Sequence, residues 1–132
     1  MRLKSFNLAL GSQIFKACAD ESRLRILHLI FLNEEMCISD LERILDFTQT
    51  KTSRHLTYLK NAGIVTFRRH HHWVFYSIKD EVYEILKQIF QFLRKDQLLQ
   101  HDQQLYQTLF SNRELAVNKI QRDMWQNPGV TT

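Results

Sequence analysis

The sequence predicts a mainly α-helical protein that carries one small β-hairpin. Three glycines and one proline in 132 residues leave few positions at which a helix must break. Apolar residues recur at three- and four-residue steps through most of the chain, which is the period of amphipathic helices. Only residues 64–78 depart from this period. The expected order is therefore α-α-α-α-β-β-α, followed by a C-terminal helical extension.

The first three helices are predicted from their caps and apolar periods. Asn7 is the expected N-cap of a helix over residues 8–19, and Asp20 is the expected N-cap of the second helix. The second helix has little polar surface, so we place it at the centre of the core. Ser39 and Glu42 have the spacing of a capping box, which predicts a short third helix beginning there.

The fourth helix and the hairpin complete the core of the predicted fold. The fourth helix is expected to begin after Thr48 and to end at Gly63, a residue easily placed in a left-handed C-cap. Residues 64–67 and 73–78 are rich in β-branched and aromatic side chains and predict two antiparallel strands. The polar, cationic residues 68–72 are expected to form an exposed tip. Two helices, a tight turn and such a hairpin constitute a winged helix-turn-helix.

The C-terminal part of the chain is also predicted to be helical. A wide apolar stripe predicts a helix over residues 80–95. The polar run 100–104 is interpreted as a junction, and Ser111 with Glu114 as a second capping box. We therefore divide the chain into a winged-helix domain, residues 1–99, and a helical extension, residues 100–132. The extension is expected to pack on the same domain and to fray after Trp125.

Composition and motifs narrow the possible functions. Eighteen Lys plus Arg against fourteen Asp plus Glu give a net charge of +4, which suits a polyanionic partner. No segment approaches the ~20 apolar residues of a membrane span, and no signal peptide is visible, so a cytoplasmic protein without membrane partners is expected. The sequence contains no glycine-rich phosphate loop and no catalytic motif. It therefore predicts no enzyme activity and no cofactor.

The fourth helix has two different sides. Thr52, His55 and Leu56 lie on one side, which can pack on the preceding helices, and the helix has no acidic residue. A major groove accepts one α-helix, so the polar side is expected to contact double-stranded DNA, although the pattern alone also fits an ordinary solvated surface. The predicted DNA contacts are Thr48, Gln49, Thr50, Lys51, Ser53, Arg54 and Thr57 on the helix, and Arg68, Arg69, His70, His71 and His72 on the wing.

Several separated motifs resemble those of the ArsR/SmtB family of winged-helix repressors. Residues 15–27, FKACADESRLRIL, resemble the family's ALADPTRLRIL opening. Residues 53–56, 58–65 and 68–69 resemble its SRHL, LxxAGLV and RR segments. The resemblance spans roughly residues 15–78. It implies a transcriptional repressor that binds a pseudo-palindromic operator as a homodimer.

The resemblance also implies which helices form the dimer interface, namely the first helix and the helix after the wing. Two recognition helices related by a two-fold axis must lie about one DNA turn apart, ~34 Å, which also requires a dimer. The expected interface residues are Leu10, Ile14, Val82, Ile85, Leu86, Ile89 and Leu93.

The two metal sites of the family are not preserved. The first uses Cys-x-Cys-Asp-Leu, whereas this chain has Cys37 followed by Ser39, so one thiolate is missing. The second begins with Asp-x-His, whereas Asp80 is followed two residues later by Val82. No metal ligand is therefore predicted, and the effector stays unassigned.

Two other functions stay open at this point. One is a winged-helix module that binds another protein, with residues 100–125 as the candidate surface. The other is a redox-responsive repressor in which the thiols of Cys18 and Cys37 switch. Because free cysteine is among the most buried residue types, inert core thiols are favoured over a switch.

Overall fold

The computed structural model describes residues 7–119 of the chain. The residues after Trp125, which were expected to fray, lie outside this range. Residues 116–119 form a further helical turn after the last complete helix. The elements are α1 Leu8–Cys18, α2 Glu21–Asn33, β1 Met36–Cys37, α3 Ile38–Leu45, α4 Gln49–Asn61, β2 Val65–His70, β3 Trp73–Ile78, α5 Asp80–Phe92 and α6 Gln97–Ser111.

Three predicted N-caps are confirmed. The side chains of Asn7, Asp20 and Thr48 each accept a hydrogen bond from the backbone N–H three residues later, at 2.8, 2.9 and 3.1 Å. Each bond satisfies a donor that the first turn of a helix leaves free. The predicted end of α4 is also confirmed, because Gly63 has a φ of 80°. An L side chain would be strained in that conformation.

The two predicted capping boxes are wrong. The helix α3 begins at Ile38, and its N-cap residue, Cys37, makes no side-chain capping bond. Ser39 therefore lies inside the first turn, because the short strand β1 leads directly into the helix. Ser111 is the last residue of α6 and not the start of a new helix.

The sheet has three antiparallel strands in the order β1-β3-β2. The sequence did not indicate β1, whose two residues pair with Tyr76 and Phe75 of β3. The hairpin pairing runs from Val65 opposite Ile78 to His70 opposite Trp73. The turn consists only of residues 71–72, so the predicted five-residue tip is wrong. Strand pairing continues through residues 68–70 and extends the wing.

The helix α2 lies at the centre of the core, as predicted. Its buried face contacts α1, α3, α4, α5 and α6 as well as the sheet. The helix α5 ends at Phe92, three residues earlier than expected. Among residues 7–119, no helix combines the length and apolar character needed to cross a bilayer.

The helix α6 runs without interruption through the polar residues 100–104, so the predicted junction is wrong. Polar residues in this run face inward and bond to α2. Arg25 donates two hydrogen bonds to Asp102, at 2.9 and 3.0 Å, and the amides of Asn33 and Gln103 bond reciprocally. Since buried polar groups need partners, these pairs let a polar stretch pack on the core.

Candidate nucleic-acid interface

The inner side of α4 packs on the core, as predicted. Thr52, Leu56 and Leu59 are fully buried, and His55 is 7% exposed. The Thr52 hydroxyl donates to the carbonyl of Thr48 at 2.9 Å, which satisfies a buried polar group. The orientation of α4 is therefore fixed by its buried side, and the other side must face outward.

The imidazole of His55 is a structural group beneath α4. Burial lowers the pKa of His55; Asp20 raises it, and the cations Arg23, Arg54 and Lys51 lower it further. Because the pKa lies below its usual value near 6.5, the ring is neutral at neutral pH. His55 thus supports the helix without adding charge to the surface.

The outer side of α4 is exposed, polar and free of acidic residues. Within residues 7–119, Arg54 has neither an ion pair nor a side-chain hydrogen bond, and the Lys51 ammonium lies 3.9 Å from the Phe47 ring centroid. The helix N-terminus adds free backbone N–H groups, which favour phosphate. Six of the seven predicted helix contacts are exposed and Lys51 is half-buried; the six are Thr48, Gln49, Thr50, Ser53, Arg54 and Thr57.

The wing cations are arranged differently. Arg68 donates two hydrogen bonds to Glu35, at 2.6 and 2.9 Å, and this pair raises the pKa of the Arg68 guanidinium. Arg69 is exposed, with its guanidinium 5.8 Å from the Phe67 ring. One of the two wing arginines is thus already paired within the chain.

The three wing histidines do not share one environment. His70 is only 4% exposed, so the prediction that it belongs to an exposed tip is wrong. His71 and His72 form the turn and are exposed, and the φ of His71 is 56°. Two of the three histidines are thus exposed on the wing.

An arginine of the N-terminal motif joins three helices behind this surface. Arg23 donates to the carbonyls of Ala17 and Lys16 at 3.0 and 3.1 Å, at the end of α1. Its guanidinium also lies 4.1 Å from the Tyr58 ring centroid, on α4. Arg23 is not among the predicted site residues, and the only sequence signal for it is its place in the motif at residues 15–27.

Asp40 holds the segment that follows α6. Its buried carboxylate accepts hydrogen bonds from the backbone of Ala116 and Val117, at 2.7 and 3.3 Å. Burial raises the pKa of Asp40, and these two bonds oppose the shift. Arg43, one turn further along α3, bonds the side chain and carbonyl of Glu114 at 2.5 and 3.0 Å. Asp40 thus caps a helical turn that is distant in sequence.

Neither the cysteines nor other side chains form a metal site in the described part of the chain. No group of three potential ligands is found among residues 7–119. Cys37 is buried with its sulfur 3.4 Å from the Ser39 hydroxyl, and Cys18 is half-buried. Burial raises the pKa of the Cys18 thiol, which disfavours the reactive thiolate. Both thiols are free.

Part of the predicted dimer interface is not available to a partner. Ile14, Val82 and Leu86 are buried in the protomer's own core, so the prediction that they face a second chain is wrong. The 3.6-residue period shows that a helix has an apolar side. It does not show whether that side packs on the protomer's own core or on a second chain. The remaining four predicted residues are half-buried: Leu10, Ile85, Ile89 and Leu93.

Three large apolar side chains on α1 and α5 are strongly exposed, and none of them is among the predicted interface residues. Leu8 and Phe15 of α1 are 91% and 72% exposed, and Phe92 of α5 is 85% exposed. Large apolar side chains with this exposure are candidates for burial against a partner. The sequence signal for these residues is that α1 and α5 each carry apolar residues outside the stripe that packs on the core.

Known proteins share this sequence pattern. A profile described as "Bacterial regulatory protein, arsR family" matches residues 20–66. An uncharacterized HTH-type transcriptional regulator of Methanocaldococcus jannaschii is 44% identical over 78 residues, 58% of this chain and 88% of that protein. The chain belongs to the ArsR family. The resemblance seen in the motifs is therefore confirmed.

Further members of the ArsR family show how far the similarity extends. The arsenic resistance transcriptional regulator ArsR1 of Pseudomonas putida is 42% identical over 69 residues, 52% of this chain and 54% of that protein. The match spans 54% of the length of that regulator and 66% of the length of a cadmium resistance transcriptional regulatory protein from Listeria innocua.

A solved structure shows the same fold. The homodimeric winged helix-turn-helix DNA-binding domain of Mb0332 from Mycobacterium bovis, described as a possible ArsR-family regulator, was determined in solution by NMR. It superposes with a TM-score of 0.60 at 26% identity, covering 69% of this chain and 83% of that domain. The predicted winged helix-turn-helix is therefore confirmed.

Proposed function

We propose that this ArsR-family protein is a transcriptional repressor that binds operator DNA as a homodimer in the cytoplasm and has no catalytic activity. The observation that carries the proposal is the outer side of α4, which is exposed, contains no acid and is held outward by a buried inner side. Such a helix fits a major groove, and its uncommitted polar groups match base edges and phosphates.

Each part of the surface has a distinct proposed task. Arg54 and Gln49, exposed on α4, are placed to contact bases, whereas Lys51 and the helix N-terminus are placed to contact phosphates. On the wing, Arg69 and the turn at residues 71–72 are the exposed groups, and they would lie along the adjacent backbone. Arg68 would contribute less because Glu35 already neutralises it.

The dimer is proposed to form through α1 and α5. Leu8, Phe15 and Phe92 expose large apolar surfaces on these helices, and burying them against a second chain would be favourable. A two-fold interface uses the same patch on both protomers. The homodimeric Mb0332 domain, which shares the fold, supports this assembly.

The alternative functions have weaker support. A thiol switch needs a reactive thiolate, but Cys37 is buried and the pKa of Cys18 is raised. A protein-binding extension needs a free apolar surface, but α6 buries Leu99, Tyr106 and Leu109 against the core. Neither observation favours a second function over DNA binding.

The decisive experiment measures DNA binding and mass together. We expect the purified protein to have the mass of a dimer in light scattering and to bind its own upstream DNA in preference to a random duplex. Phe15→Glu places a charge in the proposed interface without touching the core. We expect it to give a folded monomer with at least about a hundredfold weaker DNA binding, since two half-sites are no longer linked.

The matched control is Leu98→Glu, an equivalent change at an exposed leucine of α6. It should keep the dimer and the DNA affinity. A monomeric wild-type protein, or equal affinity for upstream and random duplexes at low salt, contradicts the proposal.

A further inference from the structure

A cleft lies between α2, α5 and α6, away from the outer side of α4. Its volume is about 560 Å³, and residues from these three helices line it. Small-molecule sites in proteins have volumes of roughly 300–1,000 Å³ and combine apolar walls with a few polar groups. The proposed DNA-binding function does not use any of the residues that line this cleft.

One wall of the cleft is aromatic. Phe31 of α2 stacks on Tyr83 of α5, with ring centroids 4.9 Å apart and planes inclined by 29°. Phe90 lies 5.4 Å from Phe31 on the same wall. Flat apolar groups pack well against such rings, in offset-stacked or edge-to-face arrangements. The wall therefore favours a planar, apolar ligand body.

The rim of the cleft is cationic. Lys87 lies on α5 and Arg94 lies in the turn that follows this helix, and the lining contains no Asp or Glu. Within residues 7–119, neither side chain forms an ion pair; Arg94 bonds only the carbonyl of Gln91, at 3.0 Å. Two uncompensated cations beside an aromatic wall favour a ligand with a negative charge.

A histidine lines the same cleft. The ring of His28 meets Phe90 edge-on at 5.2 Å, and its buried Nδ1 has no hydrogen-bond partner among the described residues. The two carboxylates that act on this ring are already engaged, Asp102 by Arg25 and Asp96 as the cap of α6. The Nδ1 atom of His28 is thus left to form a hydrogen bond with a ligand in the cleft.

We propose that this cleft binds a small aromatic carboxylate. The ring would pack on the wall formed by Phe31 and Tyr83, and the carboxylate would lie between Lys87 and Arg94. None of the three exposed apolar residues of the proposed dimer surface, Leu8, Phe15 and Phe92, lines the cleft. Such a ligand site would be separate from the surface proposed to bind DNA.

The experiment compares two probes of nearly the same shape by isothermal titration of the full chain. The probes are 1-naphthoate, which carries a carboxylate, and 1-naphthamide, which is neutral. We expect the acid to bind at least about tenfold more tightly than the amide because the cations recognise its charge. In the double variant Lys87→Gln/Arg94→Gln the two affinities should become nearly equal.

Two further variants test the assignment. Lys95→Gln removes an exposed cation that does not line the cleft, and the preference for the acid should persist. Tyr83→Ser should weaken both probes several-fold and leave their ratio unchanged. The proposal is overturned if the acid does not bind at about 1 mM, if the probes bind equally, or if the double variant keeps the preference. Unchanged binding of both probes to Tyr83→Ser would overturn the aromatic wall.

Discussion

The outer side of α4 and the wing are both basic and exposed, but they differ in what their cations already bind. Arg54 on α4 has no ion pair within the described residues, whereas Arg68 on the wing makes a two-bond pair with Glu35. Only the first is available to an external anion without breaking an existing contact. Exposure and charge alone therefore do not identify a binding residue.

The difference arises from what packs behind each region. The inner side of α4 is buried by helices, and no acidic side chain is part of that helix. The wing belongs to a three-stranded sheet, in which β1 pairs with the far side of β3. Glu35 directly precedes β1, so the sheet brings a carboxylate to Arg68. The third strand thus changes the chemistry of the wing.

The largest expected effect separates the two arginines directly. Arg54→Ala should weaken operator binding by about 1–3 kcal/mol if it contacts a base. Arg68→Ala should change the same affinity less than about threefold, because exposed pairs contribute little and this side chain is already neutralised. Fluorescence anisotropy with labelled operator DNA measures both. Equal losses in the two variants would remove the distinction drawn between α4 and the wing.

A second prediction concerns support of the wing from behind. Ala116 and Val117 pack beside Phe75 of β3, and Asp40 holds their backbone. Asp40→Ala should lower the free energy of unfolding by about 1–2 kcal/mol, because it leaves buried N–H groups without an acceptor.

The matched control for Asp40 acts on the same segment. Glu114→Ala removes an exposed pair with Arg43 and should cost less than about 1 kcal/mol. Urea denaturation measures both variants. A loss for Glu114→Ala as large as that for Asp40→Ala would show that the surface pair, and not the buried cap, holds the segment.

A third prediction tests whether Lys51 contacts phosphate. Lys51→Ala should reduce the slope of the logarithm of affinity against the logarithm of salt concentration by about one. The expected loss of affinity at moderate salt is only a few-fold. Lys79→Ala, a cation outside the proposed surface, should leave the slope unchanged. An unaltered slope in Lys51→Ala would place this ammonium away from the DNA backbone.

The smallest expected effect is on the pH dependence of stability. The folded-state pKa of His55 is lowered by burial, so the native state binds fewer protons than the unfolded state just below pH ~6.5. The contribution of neutral His55 to the free energy of unfolding is fully present above pH ~6.5 and is lost as the pH falls towards the folded-state pKa. Urea denaturation should therefore show lower stability at about pH 5.5 than at about pH 7.5.

His55→Gln should reduce this loss of stability. An unchanged loss in His55→Gln would show that the group responsible does not lie beneath α4.

Features that depend on neighbouring residues were predictable from the sequence. The caps at Asn7, Asp20 and Thr48, the left-handed Gly63 and the two sides of α4 follow from hydrogen bonds and side-chain periods within a few residues. The winged helix-turn-helix and the exposure of most of the polar residues chosen on α4 follow from these local signals. They needed no knowledge of distant contacts.

Features that depend on residues far apart in the chain were decided only by the tertiary structure. The strand β1 exists because β3 supplies its partner, and Asp102 in the polar run of α6 can be buried because Arg25 pairs with it. The cap that Asp40 provides spans 76 residues, and the apolar period of a helix did not show that Ile14 faces the core. Long-range pairing leaves no local periodic signal, which is the physical reason for this division.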